Sequence, residues 1–511
     1  MRALRISRLS LCAAAAAGAL AVTAPAVGSD IVARYRLRRL SDATTLASPP
    51  FTPPADAPDC NPALPGIPDL IGPDFDPGAW DQIEVAGDSR FVAYATRLSA
   101  GAPGSRALVV LREGADPTTV TGAGGDDDQP SLQFDFRGWR MAFRGSQGSA
   151  GESNSDIWLH TSTRAGDDAG DDTVNLTELD LTKATATDPA LCARTPYRDF
   201  GSGVELRVRD ARVAFVSTAF LDPAHPAPTD ENGVPTETSQ PPQLFVWDEQ
   251  DARFRQLTRN DDEFSALSRP TISGDGRSVA FESSADLVPG AANPLDAAQV
   301  GNPDGVRQIY LWRETATGGR ITQLTWSDRD CLAPRITPNG RTVLFCSRGD
   351  LLPGGNPEAN FELFRWRRGS SRFTRLAQLT QTTTGDSVFP RPLGNSSRCV
   401  FFSTVADSLR SDPFGASGRQ CLPSAFLWTP RGVRLVRGVD DLENIALIAD
   451  GPDADDLPDG FAILTGPPAA ASASKVQFVA NDPALDPPGD VGHASQIVFH
   501  LARATRYARS R

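Results

Sequence analysis

One stretch, residues 270–325, limits what this chain can fold into more than any other. It reads PTISGDGRSVAFESS, then a long loop, then QIYLWRE, then RITQLT. Three runs rich in β-branched and aromatic residues (279–283, 308–312 and 321–325) follow a short lead at 270–273. Asp275-Gly276 supplies a tight turn between the first two strands. This is a four-stranded antiparallel unit, and looser copies of it fill most of the chain.

The copies align on an aromatic residue in the second strand: Tyr94, Phe143, Phe215, Phe281, Phe345, Phe402 and Phe478. A third strand keeps step as ALVVLR (107–112), DIWLHT (156–161), QLFVWD (243–248), QIYLWR (308–313), ELFRWR (362–367), AFLWTP (425–430) and QIVFHL (496–501). A fourth closes several copies as Gln-Leu-Thr, at 256–258, 323–325 and 378–380. The middle strands are apolar toward both sides. Val279 and Phe281 oppose Ala280, and Ile309 and Leu311 oppose Tyr310 and Trp312. A sheet buried on both faces needs a neighbour on each side. Stacking such sheets around an axis meets that need and leaves only short edges. The expected fold is therefore all-β: a seven-bladed β-propeller of four-stranded antiparallel blades. The seventh unit has no outer strand of its own, and the RLRRLS ending near residue 41 matches the fourth-strand pattern. Residues 27–41 are expected to close the last blade, 42–80 to form a Pro- and Asp-rich irregular segment, and 81–511 to form the propeller.

With those motifs in hand, the units resemble the TolB-like, WD40-like (PD40-type) propeller repeat of bacterial exported proteins. The resemblance covers about 83–501 and is strongest at 270–325 and 334–380. It implies an exported propeller that binds a partner. TolB itself is not expected, because seven units are counted where that protein has six and no substantial domain precedes the first.

The address agrees. Arg2, Arg5 and Arg8 flank or enter an apolar run that ends in Ala24-Pro25-Ala26, so residues 1–26 read as a signal peptide. The apolar run is too short to span a bilayer as a helix. A periplasmic or extracellular protein is expected, with no membrane insertion. The formal charge is -13, and losing the leader makes it more acidic. Such a surface disfavours nucleic acid and favours a basic partner or a divalent cation. Beyond the leader stand Cys60, Cys192, Cys331, Cys346, Cys399 and Cys421. An even count in an exported chain suits disulfides. Cys331 and Cys346 lie near facing ends of adjacent antiparallel strands and are the candidate pair.

Catalytic signals are lacking in the sequence. His160 and His500 occupy the position held by Trp247, Trp312, Trp366 and Trp428, so they read as packing residues. His225 and His493 sit in separate loops, and no catalytic or metal residue is assigned. No G-x-S-x-G elbow or phosphate-binding glycine loop is present. What recurs is acid in the connections that lead into each unit: Asp128, Glu263, Asp330, Asp386 and Asp441. In a propeller these connections share one face, where carboxylates attract a cation or a basic peptide. Asp also favours turns before a strand, which needs no ligand. The long second-to-third-strand loops, with Asn293, Asp296, Asn302 and Asp304 or Asn356 and Glu358, offer oxygen for calcium without the D-x-[DN]-x-[DN]-G spacing. The leading expectation is a non-enzymatic exported scaffold that binds a protein or peptide through this acidic face, without a cofactor. The alternatives are a carbohydrate-active or other hydrolase or lyase using channel carboxylates, and a cation-stabilised structural module, the one role for Ca2+.

Overall fold

A computed structural model describes residues 212–403 almost continuously, and elsewhere the strands of 33–39, 83–177 and 424–503 with a few flanking residues. Side-chain surroundings are described chiefly within 139–177 and 212–403. The segments 1–26 and 42–80, with Cys60, Cys192, Cys421 and Asp441, lie outside the described residues.

Every regular element described is a strand. The chain begins with β1 (Ala33–Arg39). The first sheet is β2 (Ile83–Val85), β3 (Phe91–Arg97), β4 (Arg106–Arg112) and β5 (Thr118–Thr119). The second is β6 (Asp128–Asp135), β7 (Gly138–Gly145), β8 (Asp156–Thr163) and β9 (Asp172–Asn175). The third shows three strands, β10 (Arg212–Ser217), β11 (Gln243–Asp248) and β12 (Arg253–Gln256). The fourth is β13 (Leu267–Ile272), β14 (Ser278–Ser283), β15 (Gln308–Thr315) and β16 (Gly318–Gln323). The fifth is β17 (Cys331–Ile336), β18 (Thr342–Ser347), β19 (Glu362–Arg367) and β20 (Leu376–Gln378).

The remaining strands join into one nine-stranded sheet. In it β21 (Ser387–Pro392), β22 (Cys399–Ser403), β23 (Ser424–Thr429) and β24 (Gly432–Val439) form the sixth unit. The short β25 (Phe461–Ile463) also pairs with β24. The seventh unit is β26 (Pro468–Ala471), β27 (Lys475–Asn481) and β28 (Gln496–Arg503). β1 pairs antiparallel with β28 and parallel with β24 on its other edge. That second pairing is why two units merge into one sheet. Lead strands of successive sheets touch: β2 and β6, β13 and β17, β17 and β21, β21 and β26, and β26 and β2.

Alternation explains the stacking. In the fourth sheet Val279, Phe281, Tyr310 and Trp312 pack toward Ala214, Val216, Leu244 and Val246 of the third. Their neighbours Ala280, Ile309 and Leu311 pack toward Val343, Phe345 and Phe364 of the fifth. Each fully buried phenylalanine stabilises by roughly 1.5–3 kcal/mol. The aromatic pair at the centre recurs with one spacing: Phe215–Phe245, Phe281–Tyr310 and Phe345–Phe364 all lie 5.7 Å apart. A β-bulge recurs in the lead strands, where register shifts between Asp128 and Ser131, Ser268 and Thr271, Leu332 and Arg335, and Val388 and Arg391. Each bulge holds a proline (Pro130, Pro270, Pro334, Pro390), which has no N–H to offer a ladder.

The bulge also corrects the disulfide expectation. In the register observed, Cys331 faces Ser347 and Cys346 faces Leu332. The two cysteines are thus one position out of step and point to opposite sides of the sheet. Cys331 packs with the fourth-sheet side and Cys346 with the sixth-unit side. Both are free and buried, as is Cys399. The Cys331 thiol lies 3.2 Å from Ser347 Oγ, and burial pushes its pKa up to about 11.

Candidate functional site

In an antiparallel four-stranded unit the connection from strand two to three and the connection into the next unit emerge at the same end. The structure fastens these two connections together with one recurring lock. The threonine after the fourth strand accepts an N–H from the third strand and donates its hydroxyl to the side chain that opens that strand. In the fourth sheet Ile309 N–H donates to Thr325 Oγ1 at 2.9 Å, and Thr325 donates to Gln308 Oε1 at 2.8 Å. Thr258 does the same for Leu244 and Gln243, at 2.9 and 2.8 Å. Thr177 serves Ile157 and Asp156, at 3.1 and 2.6 Å. In the fifth sheet Leu363 N–H donates to Thr380 at 2.9 Å, and the acceptor is a carboxylate, Glu362, which Thr382 also reaches through its N–H and hydroxyl. The Gln-Leu-Thr signature is therefore a structural clasp.

The acidic residues singled out from the sequence meet different fates at this end. Asp330 Oδ1 accepts the N–H of Arg307 at 3.0 Å, just ahead of β15. Asp386 Oδ1 accepts that of Phe361 at 2.7 Å, just ahead of β19, with Arg348 Nη2 4.0 Å away. The corresponding residue ahead of β11 is Pro242, which has no N–H, and Glu263 is exposed. Asp128 begins β6, and Asp441 is outside the described residues. Asp330 and Asp386 thus play the turn-forming part that Asp favours.

The long loops spend their amides in the same way. Asn302 Nδ2 donates to the carbonyls of Ser284 and Val306, both at 2.8 Å. Asn356 Nδ2 donates to those of Arg348 and Asn360, at 3.1 and 2.8 Å. Asp350 accepts N–H bonds from Gly354, Gly355 and Asn356. Among the described residues no three His, Cys, Asp or Glu side chains group as metal ligands would. His160 is buried and stacks on Trp139 with ring centroids 4.8 Å apart, as a residue in the tryptophan position should.

No family model matches this sequence, and no curated protein does. Among solved structures, TolB from Agrobacterium tumefaciens is 16% identical over 76% of this chain and 95% of its own, with a TM-score of 0.34. Oligogalacturonate lyase from Vibrio parahaemolyticus is 11% identical over 83% of this chain and 89% of its own, with a TM-score of 0.43. Acylaminoacyl peptidase from Pyrococcus horikoshii is 11% identical over 78% of this chain, with a TM-score of 0.40. The chain spans about half of that peptidase's length, 48%. The chain is similar to TolB and other propeller proteins. At these identities the chemistry of its TolB-like units has to be read from their own residues.

Two carboxylates with fixed roles carry no sequence signal. Glu282, 1% exposed near the end of β14, accepts hydrogen bonds from Ala333 N–H of the next sheet at 2.9 Å and from Ser268 Oγ at 2.7 Å. Arg307 and Arg269 stand 3.9 and 4.0 Å from it. The donor N–H belongs to a bulge residue with φ of 53°, which a strand pattern does not reveal. Asp222 organises the third sheet by accepting the N–H groups of Ala224 and Gln256 and meeting His225 at 3.2 Å. Burial raises its pKa, and those hydrogen bonds outweigh the effect and hold it below the ordinary value. A groove of about 280 Å³ runs between β16, the loop at 288–295 and the fifth sheet, lined by Leu295, Trp326, Leu351, Trp366 and Leu376 with Arg320 and Arg375. No carboxylate lines it.

Proposed function

We propose that this chain is an exported, non-enzymatic scaffold: a seven-bladed ring, closed by β1 on β28, that binds a basic protein or peptide through its acid-rich connections. The ring is supported by the antiparallel β1–β28 pairing and by lead-strand contacts that run from β13 through β17, β21 and β26 to β2 and β6. The binding end is supported by one observation above others. After the clasp and the loop turns have taken their hydrogen bonds, exposed acids remain at that end, including Asp261, Glu263, Asp304 and Asp328, against Arg259 and Arg329. A field of one sign raises the local concentration of an oppositely charged partner. The alternative, a hydrolase or lyase, needs two channel carboxylates held at a working separation for acid and base.

Capture of an oligoarginine peptide by the mature chain tests the reading. Glu263→Ala with Asp328→Ala is expected to weaken capture, since neither side chain holds a turn N–H. Equal capture by the variant and the parent overturns the acidic face. Asp330→Ala is not a fair probe, because it also frees the Arg307 N–H.

A further inference from the structure

The turns between strands one and two, and between three and four, emerge at the opposite end of the strands. There the fourth and fifth sheets repeat one arrangement of arginine. Arg277 and Arg341 leave the first turns, and Arg313 and Arg367 stand late in the third strands, in register with Ser278 and Thr342. Backbone bonds fix each pair: Glu314 N–H donates to Arg277 O at 2.9 Å, and Arg368 N–H to Arg341 O at 2.8 Å. The first turns are also tied from sheet to sheet. Gly274 N–H donates to Pro338 O at 2.7 Å, and Asn339 N–H to Asn395 Oδ1 at 2.8 Å. The arginine positions therefore advance at the step of the sheets, and Arg398 takes the next place.

These arginines are unevenly matched by acid. In the fourth sheet Glu314 meets Arg212, Arg255 and Arg277, at 3.0, 3.2 and 3.7 Å. In the fifth sheet the equivalent residue is Arg368. Among the described residues no carboxylate forms an ion pair with Arg313, Arg341, Arg367 or Arg368. Arg313, Arg341 and Arg367 are exposed. Burial and the charges of Arg313 and Arg341 lower the Arg368 pKa, with Asp275 acting against them.

We propose that this arginine end docks onto the acid-rich connection end of a second copy of the chain, so that copies stack head to tail. The proposal rests on the acid-rich end being a binding surface, and it names the basic partner of that surface. Guanidinium forks suit carboxylates, which they meet through two parallel bonds. What favours a second copy over an unrelated acidic partner is the step. One set of sheets carries exposed Arg313, Arg341 and Arg367 at one end and exposed Glu263, Asp304 and Asp328 at the other, so both patches advance with the sheets. A contact between unlike ends does not close on itself and adds copies without limit.

Sedimentation velocity of the mature chain at about 20 mM and about 500 mM salt tests this, because the screening length falls several-fold between them. Concentration-dependent species larger than a dimer are expected at low salt, with self-association at least about tenfold weaker at high salt. Arg341→Glu with Arg368→Glu, and separately Glu263→Arg with Asp328→Arg, should each leave folded monomers. Their equimolar mixture should associate again, which a merely misfolded variant cannot do. A parent chain that stays monomeric at low salt overturns the stacking, and so does a mixture of two folded variants that stays apart. If that monomer still captures oligoarginine, the acid-rich end remains a binding surface for another partner. If it captures neither, both readings fall. Monomers that bind polyglutamate through Arg341 would assign the arginine end to a different acidic partner and also overturn the stacking.

Discussion

The fourth and fifth sheets share a backbone and handle charge differently, and three of those places set the contrast. The second strand carries Glu282 in one and Cys346 in the other. The third strand opens with Gln308 in one and Glu362 in the other, and at its far end stands Glu314 or Arg368. The bulges are kept across these swaps, and the apolar stripe changes at one third-strand position, Leu311 in the fourth sheet and Arg365 in the fifth. The sheet spacing is thus set by hydrocarbon and backbone, and each polar position is free to take a local solution. Stability and surface charge can then be tuned sheet by sheet without altering how the sheets stack.

The largest difference is expected at the second-strand position. Glu282→Ala removes the acceptor for Ala333 N–H and Ser268 and leaves Arg269 without its carboxylate neighbour. Losing one partner of a buried charged pair costs about 3–5 kcal/mol. Cys346→Ala removes only a sulfur that packs in the apolar cluster and approaches Leu332 O, and about 1 kcal/mol is expected from the lost volume. Urea unfolding of the two variants checks the ordering. Equal losses would mean that Glu282 contributes nothing as a charge.

The next difference is at the strand end. Glu314→Gln strips Arg212, Arg255 and Arg277 of their shared partner, and these groups are partly solvated. A loss of about 1 kcal/mol is expected, shrinking in high salt. Arg368→Glu in the fifth sheet runs the other way. It gives Arg341 and Arg313 a carboxylate, and a gain of up to about 0.5 kcal/mol is expected at low salt. Thermal melts at two ionic strengths decide it. A loss at Arg368→Glu would show that the fifth sheet already balances its arginines in some other way.

These contrasts also mark what the sequence could tell. The two-sided burial of β14 and β15 was readable from Val279, Ala280 and Phe281, because alternation alone assigns faces. Pro270 and Asp275-Gly276 announced the lead strand and its turn through backbone chemistry, and Gly276 does take a φ of 68°. The Cys331 and Cys346 pairing failed for a physical reason. One extra residue in a bulge shifts the register, and the sequence does not count it. The acids of the connections were legible as turn formers or as a binding face, but the decision at each depends on its neighbour. Asp330 has Arg307 N–H to hold, whereas the matching position ahead of β11 is Pro242, which has none, and Glu263 stays exposed. Glu282 was not legible at all, since its partner is a backbone N–H supplied by another sheet.

The smallest difference rests on one proton. Gln308 donates its Nε2 to Ser327 O at 2.7 Å while its Oε1 accepts from Thr325 and Ser327. Glu362 accepts in the same way through Oε1, but its Oε2 is buried with no hydrogen-bond partner. A carboxylate there is desolvated and lacks the donor that an amide supplies. Burial therefore raises the Glu362 pKa above its ordinary value, against the hydrogen bonds from Thr380, Thr382 and Asn360 that favour the charged form. A raised folded-state pKa means the folded chain holds the proton more tightly than the unfolded chain. That contribution is complete below the unfolded value, 4.5, and is lost as pH rises through the folded value. Glu362→Gln should match the parent at acid pH and exceed it above that window, because the amide supplies the missing donor and carries no charge. Unfolding in urea at pH 4, 6 and 8 reads the difference between the two proteins. A difference that stays flat with pH, or that favours the parent as pH rises, would mean that the fifth-sheet clasp works with an ionised carboxylate and is a different device from the one in the fourth.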